Sequence, residues 1–324
     1  MTDLDDAIPL ALISGPDRWP ARRQQFAERV RNRELLMMPG VSDALSARLV
    51  QYAGFDAAYV TGAGIANLQY AIPDIGLLGL EEVAAVARRV CDAVRIPMLI
   101  DADTGYGGTL AAMRTVHTLE AAGAAAIQLE DQVSPKRCGH FGGQNVIGTE
   151  EMVAKIRAML AARCDDNLIL IARTDALGVL GEDEAIRRGQ AYLDAGADAL
   201  FVEAPRTVEQ LDRIGREFAG VPLVANVVEG GLTPQLSAPE LADLGFTIVL
   251  FANFLMRVVA KTATRALSVL HDTGDSRGLA DEMLTWTERQ ELVELHIFQS
   301  LEQRLELTVS NGQHPVPRSD GRAS

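Results

Sequence analysis

The chain has 324 residues with 44 acidic and 30 basic side chains, and its formal net charge of −14 speaks against the basic stripe of a nonspecific nucleic-acid binder. About half of it (48 %) is apolar, enough for a large packed core and against disorder as the default. A chain of this length admits two domains or one α/β barrel, and local basic loops still admit a small anionic substrate.

The opening "MTDLDDAIPLALISGPDRWP" is acidic where a signal peptide is basic, and Pro9 interrupts its short apolar run. No stretch of 18 apolar residues occurs, and the spacing of Cys91, Cys138 and Cys164 matches neither a disulfide framework nor a zinc site. The expectation is a cytoplasmic protein with reduced thiols and no membrane partner. Next, "PARRQQFAERVRNR" (20–33) reads as an amphipathic helix able to cover a barrel floor.

Short aliphatic runs then alternate with stretches of helical period, the pattern of βαβ units. The runs lie at 35–39, 57–61, 97–101, 125–130, 168–173, 199–203, 223–228 and 247–251. The helical stretches lie at roughly 42–53, 79–94, 109–122, 149–162, 182–195, 207–218, 237–244 and 254–272. In the third of these, Leu110, Met113, Val116 and Leu119 make the expected inward stripe, with Thr109 as cap and Gly123 as stop. Eight such units in series predict a (β/α)8 barrel of the TIM type; a doubly wound open sheet has fewer strands and a switch point that is not found.

Residues 278–308, with Leu292, Leu295, Phe298 and Leu301 on one face, add helices that a barrel does not need. Their apolar surplus predicts burial against another subunit. The expected organisation is one barrel domain over 1–308, oligomerisation helices from about 254, and a flexible tail over 309–324.

In such a barrel the site lies at the C-terminal ends of the strands. Polar residues collect there: Tyr59 and Thr61, Asp101 and Asp103, Glu130 and Asp131, Arg173 and Asp175, Glu203, then Asn226 and Glu229. Asp101 and Asp103, at i and i+2, point to one side; with Glu130 they form an oxygen-only cluster suited to Mg2+ or Mn2+, and Asp74 adds a water-mediated contact. The competing reading makes these carboxylates helix N-caps. Arg173 offers a fork for a carboxylate, or else a structural pair with Glu203 or Asp175. "TGAG" (61–64) offers backbone N–H groups to a second carboxylate. The loop "SPKRCGHFGGQ" (134–144) gathers Lys136, Arg137, Cys138 and His140 between a proline and two glycines.

"DADTG", "LEDQVSPKRCGH", "ARTDA", "FVEAP" and "ANVVEGGLTP" together resemble the isocitrate lyase and phosphoenolpyruvate mutase superfamily, in order and spacing over roughly 35–300. "KRCGH" looks like the lyase signature with its catalytic cysteine. The flanking motifs are most similar to the branch of 2,3-dimethylmalate lyase and petal death protein, then 2-methylisocitrate lyase. The resemblance implies Mg2+ at Asp101 and Asp103, with Asp74 and Glu130 through water. It implies substrate contacts at Tyr59, Thr61, Gly62, Ala63, Arg173, Glu203 and Asn226; Thr61 departs from the serine usual there but keeps the hydroxyl. It also implies a homotetramer, a dimer of helix-swapped dimers.

The reaction so implied is retro-aldol cleavage of a 2-hydroxy di- or tricarboxylate of the 2,3-dimethylmalate, citramalate or 2-methylisocitrate type. A 2-oxo acid such as pyruvate forms, Arg173, Asn226 and the loop cations stabilise the departing carbanion, and Cys138 protonates it. Lys136, Arg137 and His140 would lower the thiol pKa. The group that takes the hydroxyl proton stays open among Tyr59, Glu130, Glu203 and water. The alternatives are an oxaloacetate hydrolase or decarboxylase, a phosphonomutase (disfavoured by Cys138), and a non-enzymatic metabolite-binding barrel.

Overall fold

The computed structural model describes residues 19–137 and 145–310. Eight strands, all parallel and hydrogen-bonded in chain order with the last closing on the first, form a barrel. They are β1 (Leu36–Val41), β2 (Ala58–Val60), β3 (Met98–Asp101), β4 (Ala126–Glu130), β5 (Ile169–Thr174), β6 (Ala199–Val202), β7 (Leu223–Asn226) and β8 (Phe246–Phe251). The expected (β/α)8 architecture is what the chain adopts.

Strand periodicity explains the layering, because successive side chains face opposite sides. Leu36, Met38, Leu99, Ala126, Ile171, Phe201, Val224 and Ile248 fill the interior. Their neighbours Val60, Ile100, Ile127, Leu170, Leu200 and Ala225 face the surrounding helices. Across this outer layer pack α1 (Trp19–Arg31), α2 (Ala44–Tyr52), α4 (Leu80–Ala93), α5 (Thr109–Ala121), α6 (Thr149–Ala162), α8 (Glu182–Asp194), α9 (Val208–Glu217) and α10 (Ala238–Asp243). Helical turns α3 (Gly62–Gly64) and α7 (Ala176–Leu180), which sequence period does not signal, follow β2 and β5.

Helix α1 closes the barrel floor as expected: Phe26, Ala27 and Val30 join the interior cluster, and Arg23 Nε donates to Ala124 O at 2.8 Å. In α5 the inward stripe is Ala112, Thr115, Val116 and Leu119, whereas Leu110 is 79 % exposed. The expectation misplaced Leu110 because each i+3 step falls about 60° short of a full turn, so three such steps set Leu110 on the side opposite Leu119. Gly108 rather than Thr109 is the N-cap, and the buried face runs i, i+3, i+4, i+7 from Ala112.

Helix α11 (Phe254–Thr273) buries none of its 20 residues, and Phe254, Val258, Val259 and Leu267 are exposed along it. The described residues between 19 and 276 form one compact unit; the described part of the other, 277–310, holds α12 (Trp286–Leu292) and α13 (Leu295–Ser310). Thr285 and Glu288 form a capping box at the start of α12. No helix among the described residues is long and apolar enough to cross a membrane.

Candidate active site

The inward periodicity that places Leu99 and Phe201 in the core carries polar residues at the next inward positions up. Asp101 follows Leu99, Glu130 follows Gln128, Arg173 follows Ile171, Glu203 follows Phe201 and Asn226 follows Val224. Hydrophobic-to-polar replacement at the C-terminal rim of one face therefore builds a site. One cavity there is lined by Tyr59, Thr61, Ala63, Asp74, Asp101, Lys136, Arg137, Arg173, Glu203 and Asn226. Ala252 and Asn253, just past β8, complete its wall.

Asp101 is fixed on several sides. Its Oδ2 accepts from Tyr59 Oη at 2.9 Å and from Gly62 N at 3.3 Å, and its Oδ1 accepts from Asp103 N at 3.2 Å. A Cβ on Gly62 would crowd both aspartates, standing 3.1 Å from Asp101 Oδ2 and 3.4 Å from Asp103 Oδ1. Its amide is thus engaged by Asp101 rather than left free for a substrate carboxylate. Neither aspartate caps a helix, because Gly108 caps α5.

The loop after β3 is strained: Asp103 and Tyr106 sit at φ 45° and 56°, a region costly for side-chain-bearing residues. Neighbouring helices hold it there. Thr115 Oγ1 donates to Gly105 O at 3.1 Å, and the buried Lys155 Nζ donates to Thr104 O at 3.2 Å. Burial pulls the Lys155 pKa below its ordinary value.

Lys136 carries the compensating charge. Its Nζ lies 2.5 Å from Asp74 Oδ1 and 2.9 Å from Asp103 Oδ1. Burial pulls the Lys136 pKa down, but the carboxylates of Asp103, Glu130, Asp74 and Asp101 outweigh it and hold the ammonium well above its ordinary value. Burial pushes Asp103 up to about 6 against the pull of Lys136, and lifts Glu130 well above the usual carboxylate range despite Arg173. Gly76, at φ 73°, allows the Asp74 segment to approach, since a Cβ there would lie 3.1 Å from Lys136 N.

Arg173 stands opposite Glu130 in the β4–β5 register, which brings its Nη1 within 3.4 Å of Glu130 Oε2. Asp175 grips it bidentately, accepting from Nε at 2.9 Å and Nη2 at 2.8 Å, while Glu203 Oε2 lies 3.9 Å from Nε. The guanidinium stacks over the Phe201 ring at 5.3 Å. The structural pair with Asp175 and a place on the cavity wall are both realised.

A hard divalent cation fits this donor set. The ligands are oxygen-only, Glu130 Oε1 is buried without a hydrogen-bond partner, and the missing Cβ of Gly62 leaves room against both aspartates. Among the described residues no three His, Cys, Asp or Glu side chains converge as a ligand group, so water or substrate oxygens would have to complete the shell.

Of the expected residues, Asp103 and Glu130 lie buried beside the cavity and Gly62 packs on the aspartates; Cys138 and His140 lie outside the described residues. The structure adds residues that motif reading passed over. Asn253, whose buried Oδ1 has no hydrogen-bond partner, was signalled by "FAN" at the end of β8. Gln132 is hidden inside "LEDQ" because its partners Arg137 and Asp175 leave no local spacing to read.

A family model described as phosphoenolpyruvate phosphomutase matches residues 26–271. The chain belongs to that family. It is 40 % identical over 278 residues to 2,3-dimethylmalate lyase of Eubacterium barkeri, covering 86 % of this chain and 96 % of that one. It is 39 % identical over 272 residues to 2-methylisocitrate lyase of Aeropyrum pernix, covering 84 % and 87 %. Among solved structures, oxaloacetate acetylhydrolase in complex with 3,3-difluorooxalacetate superposes with a TM-score of 0.81 at 33 % identity, covering 92 % and 99 %. The resemblance expected from the motifs is thereby confirmed.

Proposed function

We propose that this member of the phosphoenolpyruvate phosphomutase family is a cytoplasmic, Mg2+-dependent carbon–carbon lyase, with Mn2+ as a possible substitute. It cleaves a 2-hydroxy di- or tricarboxylate of the 2,3-dimethylmalate, citramalate or 2-methylisocitrate type to a 2-oxo acid such as pyruvate plus a carboxylate. The observation that carries the reading is the convergence of Asp74, Asp101, Lys136, Arg173, Glu203 and Asn226 on one rim cavity, with Asp103 and Glu130 buried beside it. Similarity to the two lyases supports the reaction class.

Asp101 and Asp103, with Asp74 and Glu130 through water, would hold the cation. When bound, it polarises the 2-hydroxyl and the neighbouring carboxylate and lowers the hydroxyl pKa. The candidate acceptors of the hydroxyl proton are Tyr59, Glu130, Glu203 and water. The oxygen electron pair becomes the carbonyl bond, and the adjacent C–C bond breaks toward the second carboxylate. Arg173 and Asn226 stabilise the resulting carbanion, while Tyr59, Thr61, Ala63 and Glu203 orient the substrate and Gly62 holds Asp101 through its amide. Cys138 delivers the last proton, with Lys136, Arg137 and His140 adjusting the thiol and the local anion affinity.

Exposed Phe254, Val258 and Leu267 on α11 support the accompanying proposal of a homotetramer built from helix-swapped dimers. The likeness to oxaloacetate acetylhydrolase favours a second reading, hydrolysis of oxaloacetate to oxalate and acetate. Cys138→Ser separates the two: cleavage of a 2-hydroxy diacid falls by a factor of about 100 or more if the thiol is the acid. An unchanged cleavage rate would sink the lyase mechanism.

A further inference from the structure

Gln132 follows Glu130 and Asp131 in the chain, yet its side chain points to neither the cation ligands nor the solvent. It is 1 % exposed, and its carboxamide makes three hydrogen bonds. Oε1 accepts from Arg137 N at 2.8 Å, and Nε2 donates to Arg137 O at 2.8 Å and to Asp175 Oδ1 at 3.0 Å. Asp175 is the carboxylate that grips Arg173 through both its oxygens. On its backbone side, Gln132 pairs antiparallel with Val146, and Val133 N donates to Asn145 O at 2.8 Å.

We infer that Gln132 is a positioning residue that latches the chain at Arg137 to the Asp175–Arg173 pair. The place of Lys136 among Asp74 and Asp103 and the orientation of the Arg173 fork are thereby set together. The consequence for turnover rests on the lyase reading of the site; the latch itself does not.

The residue type follows from the bonds. A primary amide is a planar group with one acceptor and two donors, which matches the N–H and C=O of a single residue plus one carboxylate. Glutamate would keep the acceptor for Arg137 N, lose both donors and set a second carboxylate against Asp175. Within the segment that the latch restrains, Val133, Ser134, Pro135 and Arg137 are exposed and only Lys136 is buried.

Limited trypsin digestion tests the latch directly, because Lys136 and Arg137 are tryptic sites whose backbone the amide restrains. Gln132→Ala and Gln132→Glu should each speed cleavage after Lys136 or Arg137 about tenfold relative to the other tryptic sites. In parallel, kcat for 2-oxo acid release from 2,3-dimethylmalate with Mg2+ should fall about tenfold or more while KM moves less than about threefold. Local cleavage within about twofold of wild type in both variants overturns the latch, as does a general speeding at all tryptic sites with a lowered melting temperature. If wild type releases no 2-oxo acid from any 2-hydroxy diacid, the lyase reading fails, and the digestion alone still decides the latch.

Discussion

Thr61 and Gly64 are a matched pair, and their fit shows how tightly single residues are specified around the site. The Thr61 methyl Cγ2 lies 2.8 Å from where a Gly64 Cβ would stand, with Ser42 Cβ at 3.3 Å. Gly64→Ala should therefore cost about 1–3 kcal/mol of stability, read by urea unfolding, and clearly less in a Thr61→Ser background. An equal cost in both backgrounds would show that the methyl is not the obstacle. Thr61→Ser alone keeps the hydroxyl and should change kcat/KM less than about threefold. At this scale the sequence was most legible where a carboxylate or arginine ended a strand. It was least legible for Gln132, Asn253 and Lys155, whose partners lie on other elements and leave no local spacing to read.

Between elements, one buried network joins β4, β5 and α8. Asp131 is fully buried; its Oδ2 accepts from Tyr192 Oη at 2.7 Å, Thr174 Oγ1 at 2.8 Å and Arg188 Nη1 at 3.0 Å, and its Oδ1 accepts from Asp175 N at 2.9 Å. Arg188→Leu strands a buried carboxylate and should destabilise the fold by about 3–5 kcal/mol in denaturant unfolding. Glu184, which also binds Arg188, is held at about 2 instead of its ordinary 4.5, chiefly by the hydrogen bond from Arg187. A lowered folded-state pKa means that its contribution is complete above pH 4.5 and is lost as pH falls through about 2. The stability difference between wild type and Glu184→Gln should thus shrink between pH 6 and pH 3, by less than about 1 kcal/mol because Arg187 is largely exposed. A difference that grows on acidification would contradict the assignment.

The helices and strands themselves were read from period and punctuation to within a few residues. The turns α3 and α7 were not, because short helical segments of five residues or fewer carry no period. Leu110 shows the complementary error: a run of i+3 steps drifts around the helix, so an apolar residue three such steps from Leu119 faces outward.

On the scale of the whole molecule, the eight-fold alternation of strand and helix was the most legible feature, since each unit repeats the same two periodicities and their count admits few architectures. The proposed association rests on a surplus: α11 buries none of its residues although it carries Phe254, Val258, Val259 and Leu267. Light scattering coupled to size exclusion should report a tetramer, and the pair Val258→Glu and Leu267→Glu should reduce it to smaller species. A wild-type monomer would remove the proposed assembly.

The central claim is carbon–carbon cleavage at the rim cavity. It is tested most directly by incubating the purified enzyme with Mg2+ and, in turn, 2,3-dimethylmalate, citramalate, 2-methylisocitrate, isocitrate and oxaloacetate, and measuring 2-oxo acid release. Pyruvate or glyoxylate should appear from a 2-hydroxy diacid, vanish with EDTA and return with added Mg2+. Oxalate and acetate from oxaloacetate, with no 2-oxo acid from any of the hydroxy acids, would contradict it.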